Sequence, residues 1–281
     1  MALLYRQVAS DLSVLRQDTT ARTYAAHVNQ LLARAHHIIY SGRKTSLLTL
    51  FRFLRDEYPV IFQRQISYVL ASLIVSVAWG VLGASITSVH PEFVHTFASP
   101  PMIATMERHE MWTKSVVSVA PMASSAIMTN NLSVSFVTFA SGITFGLGTL
   151  FYLYVNGMML GVIGVACHHY GMSLALWSFV APHGSLELPS IIIAGGAGLR
   201  LGHAMLFPGN LRWKESIARG GIEATQLVSG IIPLLVIAGT LEGFFSPSQA
   251  PIWLKFTVCG LLFTLLNLWL FRPVKTSVIN G

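Results

Sequence analysis

The sequence predicts an all-α protein: a polytopic membrane helix bundle of about six spans, with an N-terminal helical region outside the membrane. Three observations predict it. The chain is 53% hydrophobic and only 10% charged, against about 25% charged in soluble domains. From Ser115 to Leu199, 85 consecutive residues, Glu187 is the only formally charged side chain. The Lys and Arg residues behind the net charge of +7 gather between the apolar runs, which marks membrane topology rather than nucleic-acid binding.

Residues 1–65 carry nine Arg or Lys and four acids. Apolar residues recur there at helical spacing (Leu3, Leu4, Val8, Leu12, Leu15; then Tyr24, Val28, Leu31, Leu32, Ala35, Ile38, Ile39). Ser41-Gly42 reads as a helix stop. The stretch Leu47 to Phe62 is basic and amphipathic and suits the membrane interface. This region is expected to be cytoplasmic. It begins Met-Ala-Leu-Leu-Tyr-Arg and continues polar, unlike a signal peptide.

Residues 66–272 are expected to form the bundle and 273–281 a cytoplasmic tail. Ile66 to Thr87 is a charge-free apolar run of 22 residues, long enough to span at about 1.5 Å per residue. Residues 88–114 are polar, and Met102 to Trp112 suits a short amphipathic helix at the outer surface. Leu132 to Val155 reads as the next span, with Asn156-Gly157 as a tight turn. Met158 to Tyr170 and Leu174 to Val180 are short. They read as one span broken around His168-His169-Tyr170-Gly171, or as a span plus a re-entrant piece. Broken helices at membrane depth need protein or water around them. Leu188 to Phe207, Ala224 to Phe244 (kinked by Pro233) and Ile252 to Phe271 complete the set.

Three Gly-xxx-Gly pairs, Gly142/Gly146, Gly157/Gly161 and Gly198/Gly202, allow helices to approach closely. They predict packing within the chain ahead of a homodimer. The N-terminal region, the loop 208–223 (Arg212, Lys214, Arg219) and the tail (Arg272, Lys275) are all basic. An even span count puts all three on one side, which the positive-inside rule makes cytoplasmic.

That topology brings polar residues from distant segments to one level. Asn130 and Asn131 open one span on the outer side, His183 and Glu187 open another, and Glu242 closes a third. A carboxylate at membrane depth costs roughly 2.5 kcal/mol or more and is usually paired and functional. Pro189 suits a first helical turn, which places Glu187 near a positive helix N-terminus, so a capping role and a functional one both remain open. A second, inner polar set is Asn156, Arg200 and His203, with Arg200 snorkelling to the cytoplasmic face.

No cofactor is expected. Zinc is the alternative, held by His183, Glu187 and Glu242 with His168 or His169, although no His-Glu-x-x-His pattern is present. Cys167 and Cys259 lie in apolar runs and form neither a disulfide framework nor a zinc spacing. Gly195-Gly196-Ala197-Gly198 sits inside an apolar run and suits packing rather than phosphate binding. No serine nucleophile elbow or Walker pattern occurs.

Nearly the whole chain resembles the stage II sporulation protein M family of integral membrane proteins, also called DUF95. The resemblance rests on Asn130-Asn131, Phe139-Ala-Ser-Gly142 through Gly146, Asn156-Gly157 with Leu160-Gly161, His183-Gly184-x-x-Glu187-Leu188 running to Gly195-Gly196-Ala197-Gly198-Leu199, Pro208-Gly209, and Glu242-Gly243-Phe244. Tyr5-Arg6 through Asp11-Leu12 is similar to the family's cytoplasmic helical region. The resemblance implies a bacterial inner-membrane scaffold or assembly factor for cell-envelope peptidoglycan processes. Its implied partners are other envelope membrane proteins; membrane lipids are expected from the apolar runs, a second copy of the chain is the alternative the glycine pairs leave, and no nucleic acid is expected. Two other functions stay open on the residues: a transporter or channel using the polar cluster, and an intramembrane metal-dependent hydrolase. No inverted repeat is visible to support the first, and the ligand set for the second is incomplete.

Overall fold

The computed structural model describes residues 7–8, 10–13, 24–25, 27–32, 47–111 and 120–273. The chain divides into two units, Met1–Arg52 and Phe53–Gly281. In the first, residues 10–13 and 27–32 are helical and α1 spans Leu47–Arg52. Leu12 and Leu32 are buried, whereas Tyr24 and Leu31 of the same expected apolar faces are exposed. The expected stop at Ser41-Gly42, the residue Trp112 and the tail from 274 onward lie outside the described residues.

The described residues of the second unit are mostly helical, and no strand occurs among them. A π-turn, Phe53–Glu57, leads into α2 (Tyr58–Arg64), α3 (Ile66–Val89), a 3-10 turn (Pro91–Thr96) and α4 (Pro100–Glu107). Then come α5 (Ala120–Ala140), α6 (Leu147–His169), α7 (Ser173–Leu206), α8 (Trp213–Ser229), α9 (Ile232–Thr240), a second π-turn (Leu241–Phe245) and α10 (Ile252–Leu270). Proline sets several starts. Pro59, Pro100 and Pro233 stand in first helical turns, where the missing N–H costs no hydrogen bond. His90 ends α3 immediately before Pro91, as the residue before proline disfavours the helical region.

Among the described residues, four helical segments are long and apolar enough to cross a membrane: Ile66–Val89, Leu147–His169, Trp213–Phe245 and Ile252–Leu270. Their outward faces are apolar. Ile74 and Val81 on α3, Phe151 on α6, and Leu261 and Leu268 on α10 are all exposed, as lipid-facing residues must be.

α7 is the axis of the unit. It packs against α3, α5, α6, α8, α9 and α10 and antiparallel to α3, with Val69 against Gly196 and Ser72 against Gly195. It is also antiparallel to α6, with Gly146 against Gly202 and Thr149 against Gly198. Around it lie the buried Leu186, Ile193, Ala194 and Ala197 of α7 itself, with Leu227, Ile231, Leu235 and Leu266 from its neighbours. α2 joins this core rather than resting on a surface. Tyr58 is fully buried, donates to the Leu227 carbonyl (3.0 Å) and stacks on Trp269 at 5.1 Å. That burial pushes the pKa of the Tyr58 phenol far up.

The glycine pairs pack within the chain. A Cβ on Gly142 would collide with the backbone of Gly198, and one on Gly161 with the carbonyl of Gly80 and the nitrogen of Ala84. The α3–α6 contact is parallel and close because Gly80, Gly83, Gly157 and Gly161 leave no side chains between the backbones.

Three expectations are corrected. Asn156-Gly157 is not a turn but the middle of α6. The reversal comes earlier, at Ser141–Gly146, where Phe145 (φ 56°) and Gly146 (φ 84°) adopt left-handed backbone. The weak helix signal of Asn-Gly is outweighed by the packing of Gly157 on α3. The segment around His168–Gly171 is neither a break within a span nor a re-entrant piece. It is a tight connection between α6 and α7, with Gly171 at φ 68°. Finally, α7 does not begin near Leu188. It runs unbroken through 34 residues with Pro182 and Pro189 inside it, so Glu187 is not at a helix N-terminus. Serine hydroxyls bond back to carbonyls around the prolines, Ser185 to Pro182 (2.8 Å) and Ser190 to Leu186 (2.7 Å), and neighbouring helices cover the interrupted ladder.

Candidate functional site

The helical spacing of four puts His183 and Glu187 on one face of α7. The π-turn Leu241–Phe245 brings Glu242 and Ser246 to that face. Such turns are rare and frequently mark functional sites. His183 is buried, with its ring edge on Phe179 (5.4 Å) and its Nδ1 2.8 Å from Ser246 Oγ. Its Nε2 stands 4.0 Å from Glu242 Oε1. The Asn131 amide donates to the other Glu242 oxygen, Oε2, at 3.1 Å. One ligand atom from each of His183, Glu187 and Glu242 lies within 4.8 Å of the others. Glu187 Oε2 is buried and has no hydrogen-bond partner among the described residues.

The neutral neighbours are placed selectively. Asn131 occupies the rear oxygen of Glu242 and Ser246 the rear nitrogen of His183. His183 Nε2, Glu242 Oε1 and Glu187 are left facing one another. Outer partners of this kind orient metal ligands and fix the imidazole tautomer.

Of the five residues expected in this pocket, Asn131, His183, Glu187 and Glu242 converge. Asn130 points outward and touches the cluster only through Asn131 (3.4 Å). His168 and His169 do not join; His168 faces Ser173 Oγ (3.2 Å) at the α6–α7 connection. Two participants escape sequence reasoning. Ser246 is one of many serines. Lys255 is buried, and its ammonium donates to the carbonyls of Ser246 (2.7 Å) and Ser248 (2.9 Å), bracing the corner that carries Ser246. Its signal was a lone cation inside the apolar run of α10.

The inner polar set divides. Arg200 and His203 line a cavity of about 550 Å³ at the end of the bundle where α3 begins and α7 ends. Asn156 sits in mid-α6, donates to Tyr152 O (2.8 Å) and does not line it. Arg200 does more than snorkel: it pairs with Glu223 at 2.8 Å, and Glu223 also holds Arg219 at 3.1 Å and Gln65 at 3.0 Å. Glu223 was missed by sequence reasoning; its signal was the four-residue spacing from Arg219 on a helix.

No solved structure matches the chain. An uncharacterized protein of Methanocaldococcus jannaschii is 30% identical over 128 residues, which are 44% of this chain and 71% of that protein. The family model for stage II sporulation protein M matches residues 69–247, a stretch containing Asn131, His183, Glu187, Glu242 and Ser246 and covering well over half the sequence. This multi-pass membrane protein belongs to the stage II sporulation protein M family.

Proposed function

We propose that the chain is a membrane protein that binds a divalent metal cation between its helices, in the manner of a transporter or ion-gated protein, with His183, Glu187 and Glu242 as the ligands. The observation that carries this reading is the buried Glu187 oxygen without a partner among the described residues, beside a second carboxylate. Two carboxylates side by side in an apolar interior repel, and a cation between them answers both that repulsion and the orphaned oxygen. In the tautomer whose Nδ1–H donates to Ser246 Oγ, the Nε2 lone pair is free to bind the ion beside Glu242. Ligand bonds of about 2.0–2.2 Å require the three groups to close by roughly an ångström.

The same reading makes α5 and α7 spans as well, for six crossings with both termini on the cytoplasmic, basic side. Metal analysis of protein purified in detergent and loaded with Zn²⁺ or Mn²⁺ tests the site. We expect one ion per chain and at least a tenfold weaker affinity in Glu187→Gln. No bound ion, together with full complementation of a deletion strain by Glu187→Gln, would overturn it.

The family match favours a second reading, a scaffold or assembly factor for peptidoglycan processes in the bacterial inner membrane. Co-purification from native membranes separates the two, since a scaffold retains its protein partners in the Glu187→Gln variant.

A further inference from the structure

A second cavity lies at the opposite end of the bundle, formed by the end of α2 with α3, α7 and α8. Arg64, Tyr68, Arg200, His203, Arg219 and Glu223 are prominent in its wall. Three arginines and one carboxylate line it, so the wall carries a charge of 3 − 1 = +2 before any proton on His203. Glu223 spends both oxygens on Arg200 and Arg219 and so acts as a brace that holds the two cations side by side. Arg200 is further fixed by lying 5.7 Å from the Tyr68 ring centre, and that ring also meets His203 at 5.5 Å.

The rim is apolar. Phe207 and Leu211 line the cavity and are exposed. Exposed Trp213 follows in the chain, its indole N–H tied to the Met205 carbonyl at 3.0 Å. Tryptophan held in this way is typical of membrane–water boundaries. A braced cationic hollow bordered by exposed apolar side chains at a bundle end suits a ligand with a phosphate on one side and hydrocarbon on the other. Fixed guanidinium forks favour phosphate oxygens, and basic hollows between membrane helices hold acidic lipid headgroups.

We propose that this cavity binds a phosphate group, and that its source is the headgroup of an anionic phospholipid whose chains run along Phe207 and Leu211. A soluble phosphate ester would share the cationic wall but gain nothing from the rim.

The full chain reconstituted in lipid nanodiscs tests this. Discs of phosphatidylcholine alone are compared with discs containing cardiolipin or phosphatidylglycerol, reading thermal midpoint and lipid retained on extraction. We expect the anionic discs to raise the midpoint by several degrees. We also expect the double variant Arg64→Gln/Arg219→Gln to retain anionic lipid at least tenfold less well while unfolding normally in neutral discs. Arg212→Gln/Lys214→Gln, two changes outside the cavity, should leave retention unaltered. Equal stability in both discs, or equal loss in both double variants, overturns the site. Protection by millimolar inorganic phosphate or glycerol phosphate in neutral discs, matching that of anionic lipid, overturns the lipid assignment.

Discussion

Glu187 and Glu242 are legible in the sequence because a carboxylate inside an apolar run is costly enough to need a reason. Ser246 and Lys255 are not, since hydroxyls are common and a single lysine near a span end ordinarily snorkels. The site makes a residue-scale prediction. In metal-free protein, Glu187→Gln removes one of two neighbouring carboxylates while keeping shape and most hydrogen-bonding capacity, so its thermal midpoint should stay level or rise. A fall of more than about 5 °C, roughly 1–2 kcal/mol for a unit of this size, would mark the carboxylate as a structural strut. Gly230 makes another. It follows α8, and a Cβ there would sit within the Tyr58 ring. Gly230→Ala should destabilise the protein by about 1–3 kcal/mol, as overpacking a core does, and the loss of midpoint in a detergent thermal scan measures it.

At the scale of elements, apolar length predicted α3 and α10 to within a few residues, since an apolar run of that length has little else to form. It failed between Leu132 and Phe207. There the helices are defined by close backbone approach and by φ > 0 residues such as Phe145, a position that residue type does not announce. The helix pair α3–α6 provides the test. Gly161→Ala forces a methyl against the Gly80 carbonyl and should cost about 1–3 kcal/mol. Gly260→Ala is the control, because it lies in mid-α10 with nothing within 4 Å of its added methyl. It should be neutral or stabilising by about 0.5–1 kcal/mol, since alanine loses less chain entropy in a helix. Equal losses in the two variants would mean that the glycines of α6 are not packing residues.

For the whole molecule, the proposed six crossings give a topological prediction. Single cysteines at Ser99 and Asn210, in a background without Cys167 and Cys259, lie in exposed connections. A membrane-impermeant thiol reagent applied to intact cells should label position 99 and spare position 210; the reverse pattern, or equal labelling, would overturn the orientation. Ser216, in the same basic segment, is unsuitable because its hydroxyl is buried against Ala204 O (2.7 Å). The sequence by itself determined the class, a helical membrane protein, and the polar residues worth following. Both conclusions rest on one-dimensional quantities: the length of apolar runs and the cost of a charge within them. Only the tertiary structure decided that His183, Glu187 and Glu242 share one pocket while Asn156 leaves its expected set. It also decided that Glu223 braces a cationic cavity. Those outcomes depend on helix rotation and crossing, which are set by glycine contacts and a π-turn between segments tens of residues apart, and no local period along the chain encodes them.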